Sequence, residues 1–252
     1  MLSDFAFALT LNFVYPEGEG DSAAAAPYLL DFFDYIKSKT GLDVQGGYYN
    51  DEDEAIEALK LGKTDFAIVS PEFFTEHKTD LVLDPLLKTV PSYASGPYEK
   101  YYVLAGENMM PSQCAMKRDA VALYASRSYE PVFIEALVKE SSELRNIAFN
   151  LQQTPQLLKI LKDVAERKDT AFLLLSGYEY SVLEKLKSSN SVFNNLKLVY
   201  ESSKLPSSPL VRVGNAIKQG ELMKLKNALL GMSKDPQGKA VLSRIRMSHF
   251  VE

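Results

Sequence analysis

The sequence is poor in the residues that carry most protein chemistry. Its 252 residues include one cysteine, Cys114, and two histidines, His77 and His249. A single cysteine excludes an intrachain disulfide and a cysteine metal site, and two histidines 172 positions apart offer no ligand spacing, so no metal is expected. No Lys/Arg cluster interrupts a chain of formal charge −5 and pI near 5.3, which argues against nucleic acid as a partner. No apolar run approaches the roughly 20 residues of a membrane span, and no charged segment followed by an apolar core precedes Phe5. GxSxG, Walker, HExxH and CxxC motifs are all missing, so no catalytic residue and no cofactor is assigned. The acids from Asp51 to Glu54 sit where carboxylates stabilise a helix N-terminus, and they read as caps.

What is present is an α/β pattern. From Gly41 to Phe74 the chain reads as strand, helix, strand, helix. Leu42, Val44 and Tyr48-Tyr49 flank a short extended run whose end Gly46 and Gly47 leave loosely defined. Ala55, Ile56 and Leu59 follow at helical spacing until Gly62, and Phe66 to Val69 is the unbroken apolar run of a strand buried on both faces. Ser70-Pro71 then starts a helix at the strand's carboxyl end, because serine caps well and proline suits the first helical position. Backbone N–H groups at such a turn hold anions.

The pattern returns from Ile147 to Leu186. Thr154-Pro155 is expected to cap a helix with Leu157, Leu158, Leu161, Val164 and Ala165 on one face. Ala171 to Leu175 is a second buried strand, and Ser176-Gly177 takes the place of Ser70-Pro71. Two such copies predict two lobes whose ligand ends face a common cleft. The expected fold is a two-lobed α/β structure, each lobe a mostly parallel sheet flanked by helices. Residues 1–103 with 208–252 form lobe 1 and 104–207 form lobe 2.

The remaining segments fit that frame. Phe5 to Val14 reads as the first central strand, followed by a loop with Gly18 and Gly20 and a helix carrying Leu29, Phe32, Phe33 and Ile36. Leu81 to Val90 reads as a strand or turn region around Asp84-Pro85, Tyr101 to Ala105 and Ala120 to Ala125 as strands, and Pro131 to about Lys139 as a helix. Leu205 to Pro209 is a rigid return to lobe 1. Two packing helices follow, one with Leu222, Leu225, Leu229 and Leu230, the other with Ala240, Val241 and Ile245, and then a tail without chemistry.

Several tracts share their order and spacing with a known family. They are Tyr28 to Val44, Glu54 to Leu59 with Gly62 and Asp65 to Ile68, Gly96 to Val103, and Leu205-Pro206 through Asp235-Pro236-Gln237-Gly238 to Phe250. In these the chain resembles the periplasmic substrate-binding proteins of phosphonate-type ABC transporters, a branch of the type II periplasmic-binding-protein fold. The family's second-lobe ligand loop usually reads like S-x-S-G-x-x-P; Ser126-Arg127-Ser128-Tyr129-Glu130-Pro131 keeps both serines and, one residue earlier, the proline, with Tyr129 in place of glycine. A tyrosine there fills space that a closely approached phosphonate uses, so a pocket unlike that of ordinary phosphonate binders is expected. The first-lobe turn is matched by Ser70-Pro71 and the pocket aromatic by Tyr49, while the second-lobe aspartate is matched only loosely by Asp169.

The resemblance implies capture of a small oxyanion-bearing solute (phosphonate, phosphate ester or carboxylate) by lobe closure, outside the cytoplasm and for the permease of an ABC importer. The expected ligand-binding residues are Tyr15, Tyr49, Ser70, Ser126, Arg127, Ser128, Tyr129, Ser176 and Tyr178. A monomer without enzymatic activity is expected, with a signal peptide removed before Met1. The alternatives are a ligand-sensing domain of a signalling system and an enzyme built on the same fold.

Overall fold

The computed structural model describes residues 8–16, 20–60, 62–116, 120–127, 129, 131–168, 170–214 and 218–252. Phe5 to Phe7, Gly18, Ser128 and Asp169 lie outside these residues. The chain divides into two compact units, Met1–Tyr98 with Pro206–Glu252 and Glu99–Leu205.

In chain order the first unit opens with β1 (Leu9–Val14), α1 (Ser22–Thr40), β2 (Val44–Gln45), β3 (Tyr48–Tyr49), α2 (Glu52–Lys60), β4 (Phe66–Val69), α3 (Pro71–His77) and β5 (Leu83–Pro91). The chain leaves through β6 (Tyr98–Glu99). The second unit holds β7 (Tyr101–Gly106), α4 (Pro111–Ala115), β8 (Val121–Ala125), α5 (Pro131–Lys139), β9 (Phe149–Gln153), α6 (Leu157–Ala165), β10 (Phe172–Ser176), α7 (Gly177–Ser189) and β11 (Leu196–Glu201). It returns through β12 (Leu205–Pro206), which pairs with β6, to β13 (Pro209–Val213), α8 (Gln219–Gly231), α9 (Pro236–Arg244) and β14 (Met247–Val251). The expected crossing at 103/104 falls inside β7, whose Tyr101 to Ala105 pair with Ser176 to Phe172. The boundary therefore moves upstream to 98/99.

Among the described residues the first unit has a seven-stranded sheet ordered β14-β5-β13-β4-β1-β2, with β3 also on β1. Pairing is parallel around β1 and antiparallel among β4, β13, β5 and β14, so the parallel character expected of the sheet holds for one half of it. The tail is a strand rather than a passive end, and Phe250 is buried in the core. Helix α1 sets Leu29, Phe32, Phe33 and Ile36 against that core, each such burial worth roughly 1.5–3 kcal/mol. It stops at Gly41, whose left-handed backbone (φ 71°) lets its N–H return to the Lys37 carbonyl at 2.9 Å.

Gly46 and Gly47, read above as a loose end, are tightly pinned. A Cβ on Gly46 would lie 1.8 Å from the Leu11 carbonyl oxygen, so only glycine lets the edge strand break there. Buried Asn12 fastens the break: its Oδ1 accepts the Gly47 N–H at 2.9 Å, and its Nδ2 donates to Thr64 Oγ1 at 2.8 Å. Both ends of this buried amide are therefore satisfied, as burial of a polar side chain requires.

The second unit has a five-stranded sheet among the described residues, ordered β11-β7-β10-β8-β9, parallel across β10, β8 and β9 and antiparallel where β7 joins. Helix α6 buries Leu157, Leu161, Val164 and Ala165, but Leu158 faces solvent. Its N-cap is Gln156, not the expected Thr154-Pro155; Thr154 Oγ1 accepts the Gln156 N–H at 3.1 Å in the preceding turn.

Candidate functional site

In the first unit three parallel strands end side by side, with Val14 opposite both Tyr49 and Val69. The residues that follow, Tyr15, Asn50 and Ser70, therefore emerge along one edge. Backbone bonds extend the ladder to that edge, from Tyr15 N–H to the Tyr49 carbonyl and from Ser70 N–H to the Val14 carbonyl, both 2.9 Å. Ser70, only 4% exposed, caps α3: its Oγ accepts the Phe73 N–H at 3.2 Å. Its hydroxyl proton has no acceptor among the described residues, so this buried group has a hydrogen bond to give. Tyr15 is half-buried and stacks on Tyr48, ring centroids 6.5 Å apart. Tyr49 leans the other way, against the cluster that holds Phe73, because neighbouring strand residues face opposite sides. The approach to α1 is tied to the same edge by Ser22 Oγ donating to the Tyr48 carbonyl and Asn50 Nδ2 to the Gly20 carbonyl, each 2.8 Å.

The second unit repeats the arrangement. Ala125 lies opposite Gln153, and the Thr154 N–H donates to the Ala125 carbonyl at 2.8 Å. Ser126 and Thr154 thus follow the ends of β8 and β9, and Ser176 is the last residue of β10. Arg127 reaches back over this edge: Nη2 donates to the Tyr101 hydroxyl at 2.8 Å, and the guanidinium sits 4.7 Å from the Tyr129 ring centroid. Tyr101 is buried and pairs with Ser176 in the β7–β10 ladder. Tyr129, expected to fill a pocket, is 9% exposed, stacked on Phe133 at 5.4 Å and edge-on to Tyr101 at 5.8 Å. It is a core side chain that supports Arg127 from beneath, since an apolar loop residue next to a helix start gains most by burial.

Ser176 differs from Ser70 in its proton. Glu179, three residues on, closes a full capping box: its Oε2 accepts the Ser176 N–H at 2.7 Å and the Ser176 hydroxyl at 2.8 Å, while Ser176 Oγ accepts the Glu179 N–H at 3.4 Å. A carboxylate of the chain itself occupies the N-terminus of α7, where an external anion was expected. Half-buried Tyr178, in the same turn, accepts the Ser181 hydroxyl on its carbonyl at 2.7 Å.

Sequence reasoning missed several neighbours of these groups. Glu179 was legible as S-x-x-E, the capping-box spacing. Tyr101 as partner of Arg127, and Asn12 behind the first edge, carry no local signal, because strand pairing alone brings them there. A second polar cluster anchors the return of the chain: Glu140 accepts from the Tyr200 hydroxyl at 3.0 Å and from the Ser203 hydroxyl at 3.2 Å. The Tyr200 bond, followed by those from Ser203, holds the Glu140 carboxyl below its ordinary range. Burial first and Glu140 second push the Tyr200 phenol up to about 12.

Three comparisons bear on identity. No curated protein matches the sequence. Solved structures match over nearly the whole chain. A binding protein component of an ABC phosphonate transporter from Pseudomonas aeruginosa aligns with TM-score 0.63 at 14% identity, covering 97% of this chain and 80% of the other. PhnD1 from Prochlorococcus marinus, solved in complex with methylphosphonate, aligns with TM-score 0.65 at 11% identity over 97% and 92%. XAC2383 from Xanthomonas citri, solved with ATP, aligns with TM-score 0.68 at 14% identity over 97% and 90%. At these identities the likeness concerns the fold, that of the two-lobed periplasmic binding proteins. The family model described as ABC transporter, phosphonate, periplasmic substrate-binding protein matches residues 21–252, and the chain belongs to that family.

Proposed function

We propose that this chain captures a small oxyanion-bearing solute, a phosphonate, phosphate ester or carboxylate, and delivers it to the permease of an ABC importer. Family membership implies a small-molecule ligand, a permease partner and an extracytoplasmic location. No helix among the described residues is long and apolar enough to cross a membrane. The finer reading is a chain exported with a signal peptide, acting as a monomer through closure of its two lobes, and performing no chemistry on what it binds. Binding requires only that the ligand favour the closed state over the open one.

The observation that carries this reading is the same in both units: polar side chains follow the carboxyl ends of parallel strands, the edge at which open α/β sheets bind ligands. Ser70, with Tyr15 and Tyr49, supplies the first edge. Ser126 and Arg127, with Tyr178, supply the second, where Ser176 holds the turn through its capping box with Glu179, and Ser128 belongs to the proposal by its place in the sequence between Arg127 and Tyr129. Arg127 brings a positive charge that Tyr101 and Tyr129 orient, as recognition of an oxyanion by a planar guanidinium requires. Tyr129 acts through Arg127 rather than by touching the ligand.

Thermal-shift and calorimetric titration with methylphosphonate, inorganic phosphate, a phosphate monoester and acetate, set against glucose and a diamine, tests the reading. At least one anion is expected to raise the melting temperature and to be recovered unaltered, by phosphorus NMR for the phosphorus compounds and by proton NMR for acetate. Stabilisation by the sugar or the diamine and by no anion refutes an oxyanion site, and turnover of a phosphate ester refutes binding without chemistry.

A further inference from the structure

Two histidines so far apart in sequence make no ligand motif, but the fold gives one of them other company. Glu76 and His77, in the last turn of α3, meet Glu52, in the first turn of α2, so that one ligand atom from each lies within 4.8 Å of the others. His77 Nε2 stands 2.7 Å from Glu52 Oε1. The imidazole is held by the core: its side chain is 15% exposed and its ring lies 4.5 Å from that of buried Phe73. One ligand is thus fixed by packing, while the two carboxylates are exposed and free to adjust.

A simple hydrogen bond between His77 and Glu52 accounts for two of the three groups. It leaves Glu76 unexplained, since this second carboxylate is placed beside the first. Among the described residues no Lys or Arg lies within ion-pairing distance of either glutamate. Two carboxylates this close repel even when fully hydrated, and a bound cation reverses the sign of that contribution.

We propose that Glu52, Glu76 and His77 form a divalent transition-metal site, with zinc the expected ion. Imidazole selects zinc and its neighbours over magnesium and calcium, which take oxygen ligands alone. One nitrogen and two oxygens leave a fourth position for water in a tetrahedral shell. Ligand atoms on such an ion stand about 3.4 Å apart, given bonds of about 2.0–2.2 Å. The trio reaches that spacing by small rotations of the two glutamates. The ion cross-links the start of α2 to the end of α3, the helix that Ser70 caps, and so fixes a helix of the first ligand edge from its far end.

The chain, stripped with chelator, is titrated calorimetrically with Zn²⁺ alone and, by visible absorbance, with Co²⁺. One equivalent is expected to bind with micromolar affinity and to raise the melting temperature. His77→Gln and Glu52→Gln should each weaken binding at least about tenfold and abolish the thermal shift, whereas His249→Gln should change neither. Glu76→Gln, at an exposed position, gives the same readout should the His77 variant not fold. Millimolar or weaker binding in the parent chain, or unchanged affinity in His77→Gln or Glu76→Gln, overturns the proposal.

Discussion

Ser70 and Ser176 stand at corresponding places in the two units, each ending a buried strand and capping the helix that follows, yet they differ in what they can still do. Ser70 accepts one N–H and keeps its proton. Ser176 gives its proton to Glu179 and with it forms a closed capping box. The residue three positions on decides the difference: Phe73 in the first unit is buried and apolar, and Glu179 in the second is a carboxylate. A shared motif at a strand-to-helix turn therefore does not imply a shared function, because the cap at Ser176 is satisfied from within its own helix.

The comparison breaks most violently at Gly46, which shapes only the first edge. Gly46→Ala would force a methyl group onto the Leu11 carbonyl, and we expect a loss of about 3 kcal/mol in urea unfolding, together with loss of anion binding. Next comes the serine pair itself. Ser70→Ala and Ser176→Ala should each cost about 1 kcal/mol of stability as lost caps. Ser70→Ala should also weaken calorimetric anion affinity more than about tenfold, the usual worth of a hydrogen bond to a charged group. Ser176→Ala should leave affinity nearly unchanged, and equal effects of the two would remove the distinction drawn here. Glu179→Gln keeps the box's acceptor but discharges the start of α7, so anion affinity should rise a few-fold while stability falls by about 0.3–1 kcal/mol.

The smallest effect concerns pH and belongs to the second unit. The Tyr200 phenol is raised in the folded chain, so its contribution is complete below its unfolded value near 10 and is lost as pH climbs toward about 12. Glu140 is lowered, so its contribution is present above the ordinary carboxylate range and lost as pH falls through its depressed value. Tyr200→Phe should flatten the alkaline limb of a melting-temperature profile, and Glu140→Gln should flatten part of the acid limb.

The elements were legible where the signal is local. Leu29, Phe32, Phe33 and Ile36 announced the buried face of α1, Pro131 marked the start of α5, and Ser70-Pro71 marked that of α3. Errors arose where the deciding partner is distant. The tail from Met247 to Val251 has too little apolar alternation to signal a strand, and its pairing with β5, His249 opposite Val90, comes from a distant part of the sequence. Tyr129 followed the same rule: its place where the family's loop has glycine suggested a ring filling the pocket, and only the placement of Tyr101 and Phe133 shows where the ring goes. Asn12 passes unmarked within the apolar run from Phe5 to Val14, though it serves as the latch on the Gly46-Gly47 break.

The interleaved connectivity of the two units sets an order of assembly. The second unit is a single uninterrupted segment, whereas the first takes β13 and β14 from sequence that follows it. During synthesis or export, residues 99–205 can complete their sheet while β5 still waits for both of its neighbours. Non-local strand pairing of that kind is slow, and it leaves β4 and β5 as unpaired edges for as long as the wait lasts. The first unit is thus the late-folding and aggregation-exposed one, and substitutions in its last strands should lower the yield of folded protein by more than their equilibrium cost alone explains.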